Sequence, residues 1–344
     1  MFEEDRAPVT LSEIYNQAAS CLRTVELAQE RSLILEQFLP LDTYTDIILT
    51  GCGSSHHLAL CASYAWSETL GRPVAAIASS ELAHFPQRYL ARKARPLVLA
   101  ISRSGDTTEV KLAVERLRRD YGARSLAITT EGNQVARVCD AGIVFDECLE
   151  RSVVMTQAFT CILVGLYLLV DGAVTGARRT SEIGEIPRLI SAAFQTTENV
   201  VRPLAENLNI SRFFFLGSGP MKGLADECAL KVTEMALDTA FSYRTLEFRH
   251  GPKATLNSTD QVVIFPVEAE RPHLATLVAE INATDARLLV ADVPQLAIGN
   301  SLFEAFRPSV YAHFGQLLAY WRAAARNLNP DAPRHLARTV LLNV

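Results

Sequence analysis

The sequence predicts an α/β protein with two doubly wound parallel sheets in tandem, and three observations predict it. Short apolar runs alternate along the chain with longer helical patterns. The runs are continuously apolar, as strands covered on both faces must be. The plan also occurs twice. "DIILTGCGSSHHLALCASYAW", from Asp46, and "RFFFLGSGPMKGLADECALKVTEMA", from Arg212, each give an apolar strand, a G-x-G turn with a small residue between the glycines, and a helix.

Taken in order, the chain opens with a long helical pattern from about Leu11 to Phe38, so residues 1–38 form an N-terminal helical segment. In a first domain, 39–195, "DIILT", "VAAIA", "LVLAIS", "SLAIT" and "GIVF" read as buried strands. Helices fall between them, such as "TEVKLAVERLRRDY", which Gly122 closes. A helical connector, about Met155 to Asn207, carries "DGAVTGARRTSEIGEIP" as an exposed break. In a second domain, 196–344, "QVVIFPV" and "RLLVAD" continue the strand series that starts at Arg212.

Composition narrows the function classes. With 344 residues, 49% hydrophobic and 21% charged, the chain can bury a large core. A net charge of −5 argues against a nucleic-acid partner, which needs a concentrated basic face, and Arg116, Arg118 and Arg119 read as a solvated helix face. The opening "MFEEDRAPV" lacks the apolar stretch of a signal peptide. "VVMTQAFTCILVGLYLLV", Val153 to Val170, approaches membrane-spanning length, but Thr156, Gln157 and Thr160 break its first half, so a buried helix and no membrane partner are expected. Seven cysteines without a CxxC pair suit free thiols in a reducing cytoplasm, with no metal site. His56 and His57 are neighbours on a helix and cannot both face one metal.

Two strand-to-helix turns are candidates for binding a ligand. In "GCGSS" the glycines let backbone approach a ligand, and Gly53, Ser54 and Ser55 open a helix whose free N–H groups attract anions. Taken alone, such a turn is better explained by ordinary serine capping. In "SRSGDTTE", Asp106 and Glu109 have capping-box spacing, which leaves Ser102, Ser104 and Thr107 surplus to the helix start. No G-x-x-x-x-G-K-[ST] pattern accompanies them, so a small phosphorylated ligand is favoured over a nucleoside triphosphate. Farther along, Lys231 and Glu234 share one helix face, with Glu227 four residues before the lysine. From spacing alone a surface ion pair is the favoured reading.

Taken together, "GCGSSHH", "SRSGDTTEV", "MTQAFT", "ECALKVTEMA" and "EFRHGP" resemble the sugar isomerase (SIS) family, in order and across nearly the whole chain. The resemblance extends to the isomerase half of glucosamine-6-phosphate synthase and its stand-alone deaminase and tagatose-6-phosphate isomerase relatives. The resemblance implies tandem flavodoxin-like domains and a sugar phosphate as ligand. It implies phosphate contacts from Ser55, Ser102, Ser104 and Thr107, with Arg103 nearby. Gly53, Ser54, Val153, Glu247 and Arg338 are the further substrate-binding positions. Glu234 would carry a proton between C1 and C2, Lys231 would hold the open-chain oxygen or form an imine, and His250 would open the ring. Glu247 would orient that histidine or the sugar hydroxyls. No cofactor or metal is implied. The family's assembly implies a homodimer in which His250 of one chain completes its neighbour's site.

Two departures stand out. "PRHLAR" places Arg338 where the synthase has a functional lysine, and arginine cannot form an imine. Met155 stands where the synthase has a serine. The synthase's glutaminase domain is missing from the sequence, so nitrogen is not expected to come from glutamine. The expectations are then an amino-sugar 6-phosphate isomerase of deaminase type, a tagatose-6-phosphate-type isomerase or a deglycase of sugar-phosphate amines. From another class comes a sugar-phosphate-sensing regulator, which would be expected to lack Lys231, Glu234 or His250.

Overall fold

The computed structural model describes residues 8–292 and 302–342. The acidic opening of the chain, on which the signal-peptide reading rests, lies mostly outside them. Contacts divide the chain into two compact units.

One unit, built on the first sheet, takes Ala19–Leu149, Ala158–Pro187 and the described residues from Ala337 on. Its strands are β1 (Asp46–Gly51), β2 (Ala75–Ala78), β3 (Pro96–Ser102), β4 (Arg124–Thr129) and β5 (Ala141–Val144). All pair in parallel, in the order β2-β1-β3-β4-β5. Every residue of the central β3 is buried, which is why its sequence is a continuous apolar run. This order puts the topological switch between β1 and β3, where a doubly wound sheet opens its ligand crevice. The helix after β3, Thr108–Tyr121, ends at Gly122, whose φ of +61° suits glycine and whose N–H bonds the Arg118 carbonyl.

Within this unit the helix Ser54–Leu70 buries Trp66 completely, and its indole N–H donates to the Leu166 carbonyl at 3.0 Å. The helical stretch Gln157–Thr175 is long and apolar enough to cross a membrane, but 78% of its most apolar window is buried inside the protein. None of the seven cysteines, all among the described residues, is in a disulfide.

The second-sheet unit takes the described residues up to Ala18, Glu150–Gln157 and Arg188–Leu336. Its strands β6 (Arg212–Gly217), β7 (Thr239–Tyr243), β8 (Asp260–Phe265) and β9 (Arg287–Val290) are parallel in the order β7-β6-β8-β9. This is the order of the first sheet without its fifth strand. β7 has no counterpart among the sequence-predicted strands. It is a half-exposed edge strand, "TAFSY", whose mixed polar and apolar residues do not make a continuous apolar run. Helices Met221–Ala236 and Arg307–Ala325 pack closely, and a Cβ added at Gly315 would lie 2.5 Å from the Cys228 sulfur.

Candidate active site

Both hydroxyl-bearing turns follow β1 and β3, on either side of the first sheet's switch point. After β1, a Cβ at Gly51 would sit 2.7 Å from Ser55 backbone carbon, and Gly53 takes φ +53°. Only glycines allow the chain to turn so tightly into the helix Ser54–Leu70. Ser54 and Ser55 are buried in its first turn, and no side chain caps the helix. After β3, Ser102 and Thr107 hydroxyls bond each other at 2.8 Å, and Ser104 Oγ accepts the Asp106 N–H at 3.3 Å.

The capping box expected at this helix does not form. Gly105, at φ +70°, turns the chain toward residues 131–135, where a Cβ would meet the Glu131 carbonyl at 2.6 Å, and the Gly105 carbonyl accepts the Val135 N–H at 2.7 Å. Asp106 follows that turn. Its carboxylate accepts from the Asn133 amide at 3.1 Å and the Gln134 N–H at 3.3 Å, at the start of the helix Gln134–Val138. The helix Thr108–Tyr121 therefore starts without a side-chain cap. Its first-turn N–H groups and the neighbouring hydroxyls together make a turn able to accept an anion.

The chain's last described residues lie on the same unit. Arg103, 7% exposed, donates from Nη2 to the Arg338 carbonyl at 3.0 Å, and the Arg338 guanidinium is ion-paired with Glu131. The Leu342 N–H donates to Thr108 Oγ1 at 3.1 Å. The basic helix face read from Arg116, Arg118 and Arg119 is paired with Asp120 and Asp140. A groove of about 540 Å³ in this unit, lined by Leu27, Glu30, Ile34, Ile143 and Glu147 among others, contains none of the predicted site residues.

In the second-sheet unit, Lys231 is 0% exposed, which removes the surface-pair reading. Its ammonium donates to Glu234 at 2.6 Å and lies 3.3 Å from Glu227. Glu227 is as buried as the lysine, while the Glu234 side chain is 20% exposed. One cation thus neutralises a buried carboxylate and holds a second that faces outward. That is an arrangement able to move a proton to and from a bound molecule.

Glu247 and His250 are exposed on a loop after β7. Phe248 anchors that loop in the core against Phe214 and Tyr243, and Arg249 and Lys253 both pair with Glu280. Among the described residues, the His250 side chain makes no hydrogen bond or ion pair. Val153 is half-buried in the loop 150–157 of this unit. Sequence reasoning passed over Glu13, Asn16, Gln17 and Gln316, which hold that loop. The available signal was polar residues three and four apart, Glu13, Asn16 and Gln17, which share one face of a helix.

A model of the SIS domain matches residues 44–171, the span of all five first-sheet strands. The glutamine–fructose-6-phosphate aminotransferase (isomerizing) of Chlamydia caviae is 29% identical across an alignment 359 positions long that covers 96% of this chain. The chain spans 58% of that protein's length. A crystal structure of glucosamine-6-phosphate deaminase from Thermotoga maritima superposes with a TM-score of 0.81 at 30% identity, covering 97% of this chain and 99% of that one. Tagatose-6-phosphate ketose/aldose isomerase from Escherichia coli shares the fold, with a TM-score of 0.83 at 22% identity over 97% and 96% of the two chains. On these likenesses, and on the paired turns and strand order that agree with them, the chain belongs to the sugar isomerase (SIS) family.

Proposed function

We propose that the protein is a phosphosugar aldose–ketose isomerase acting on an amino-sugar 6-phosphate and releasing ammonia, as a glucosamine-6-phosphate deaminase does. The observation that carries the reading is Lys231, wholly buried between Glu227 and Glu234. A lysine so placed is not serving solubility, and its partner Glu234 keeps a face open to solvent. The relative with near-complete mutual coverage and 30% identity is a glucosamine-6-phosphate deaminase, which supports the choice of substrate class.

In this reading the phosphate is held by Ser55, Ser102, Ser104 and Thr107. Glu234 removes the proton from C2 of the open-chain amino sugar and returns it to C1. Water then displaces ammonia from C2 to leave the ketose phosphate. Lys231 holds the open-chain oxygen, and Arg338, ion-paired with Glu131, serves to fix the chain's end. His250, exposed and without a hydrogen-bond partner among the described residues, opens the ring in the site of a partner subunit within a homodimer. Each proton that Glu234 accepts is given back, so no cofactor is consumed.

The test is incubation with a panel of hexose and hexosamine 6-phosphates, assaying ammonia and ketose together. Stoichiometric ammonia and ketose from an amino sugar is the expected result. Ketose without ammonia from every substrate would replace this reading with a simple ketose/aldose isomerase. Tight binding without turnover of any of them would replace it with a sugar-phosphate sensor.

A further inference from the structure

The loop 150–157 is tied by buried side chains on both sides of Val153. Glu13, on the helix Val9–Glu26 and only 8% exposed, accepts the Arg151 N–H at 2.7 Å and the Ser152 N–H at 3.3 Å, one on each carboxylate oxygen. Ser152 Oγ reaches across Val153 to the Val154 carbonyl at 2.8 Å. Beyond it, Glu150, 1% exposed, accepts both the Thr156 N–H at 2.7 Å and its hydroxyl at 2.8 Å. Gln316 donates to the Thr156 carbonyl at 3.1 Å and is itself held by Gln17 at 2.7 Å, while Asn16 donates to Gln157 at 3.0 Å. Glu13, Asn16 and Gln17 lie on one face of the helix, which meets the loop with hydrogen-bonding groups rather than methyl groups.

Burying carboxylates is costly, and apolar packing would hold a loop to a helix with less desolvation. What an apolar contact cannot do is fix individual N–H groups in direction. A carboxylate accepting two successive amides sets the peptide planes that lead into Val153. We propose that Glu13 is a positioning residue for substrate binding, holding the backbone around Val153 in the orientation that the sugar meets. This deepens the function proposed above and rests on it, because Val153 is a substrate position only if a sugar phosphate is the ligand.

The test uses full-length Glu13→Gln, which keeps the shape but turns a donor toward one of the two amides. Four measurements are made on it: amide hydrogen exchange, steady-state kinetics with the active sugar phosphate, inhibition by inorganic phosphate, and melting temperature. Exchange at Arg151 and Ser152 should quicken by about tenfold or more, while Thr156, held by Glu150, keeps its wild-type rate. KM should rise by about tenfold with kcat within about twofold, and inhibition by inorganic phosphate should be unchanged, since that ligand does not use the loop. Faster exchange with an unchanged KM would overturn the proposal, as would unchanged exchange. A joint fall of kcat and phosphate affinity that follows a lower melting temperature would make Glu13 a merely structural residue and overturn it too. Should Glu13→Gln fail to fold, Glu13→Asp keeps the charge with a shorter reach and is read the same way. Failure of the function itself looks different: wild-type protein would then turn over no sugar phosphate at all.

Discussion

The two sheets share a strand order, and each has a G-x-G turn after its first strand, yet the hydroxyls at their strand-to-helix turns are used differently. In the first-sheet unit, the Ser102 and Thr107 hydroxyls bond each other, and no side chain caps the helices after β1 and β3. In the second-sheet unit, Ser218 spends its hydroxyl oxygen on the Thr245 N–H at 3.1 Å, tying the end of β6 to the chain after β7. There the unusual chemistry lies inside the next helix, where Lys231 is buried between two carboxylates. On the proposed function, one fold plan yields an anion-binding turn in one copy and a proton-handling helix in the other. The backbone supplies the positions, and side chains decide what each becomes.

The largest effect that could break this contrast is on turnover. Glu234→Gln keeps the shape of the side chain but cannot carry a proton. Turnover should fall by about two to four orders of magnitude with sugar-phosphate binding largely kept, measured as kcat and as a dissociation constant. Near-normal turnover would remove the proton-handling role from the second sheet. Co-expressed with His250→Ala, the same variant tests the shared site. Mixed dimers should recover about half the activity of a wild-type dimer, because two-fold symmetry gathers both lesions into one of the two sites. A folded mixed dimer without recovery would place His250 in its own chain's site.

Next in size is the folding cost of disturbing the buried charges. Lys231→Met leaves Glu227 buried without its cation, and should lower unfolding stability by about 3–5 kcal/mol in urea titrations at neutral pH. Adding Glu227→Gln should restore most of that loss, because the uncompensated charge is then gone. If the single variant is as stable as wild type, the lysine does not neutralise a buried carboxylate, and the second sheet loses its distinguishing feature.

Much of this contrast could be read from sequence because its carriers are local. Gly51, Gly53 and Gly122 sit where the chain must turn or stop, and the buried strands of the first sheet are continuous apolar runs. Three things could not be read. β7 is a short, half-exposed edge strand whose place is set by pairing with β6 and not by its own pattern. The capping box failed because spacing does not encode where a carboxylate turns, and Gly105 sends Asp106 toward Asn133 and Gln134. The third is long-range: Glu13 holds amides 138 and 139 residues away, and nothing in "SEIYNQ" announces that partner. Roles for the candidate residues came from motif order; what surrounds each came from the fold.

A smaller effect separates the units by pH. His313 of the second-sheet unit is 1% exposed, bonded to Thr197 at 2.9 Å and packed on Phe194, and burial pulls its pKa down to about 4. No described histidine of the first-sheet unit is fully buried. The fold holds His313 neutral, so its contribution is complete above the ordinary value of 6.5 and is lost as pH falls through about 4. Linkage makes the loss ~3 kcal/mol. Urea midpoints measured from pH 7 to pH 4 should fall steeply for wild type and less for His313→Gln. Equal slopes would mean that the second unit has no acid-labile histidine.

The smallest expected effect is the most direct test of the two turns against each other. Ser104→Ala and Thr107→Ala each remove one donor to a bound phosphate, worth roughly 1.5–3 kcal/mol for a charge-assisted bond, so KM should rise by about ten- to a hundredfold with the fold intact. Ser218→Ala removes a hydroxyl from the turn after the second sheet's first strand, β6, but there it leaves the Thr245 N–H without its acceptor. That variant should lose about 1–3 kcal/mol of stability and keep its KM. The two outcomes are opposite in kind: a binding loss without instability in one turn, and instability without a binding loss in the other. If Ser104→Ala and Thr107→Ala bind sugar phosphate normally but melt early, their hydroxyls are structural, and the two turns are the same device used twice.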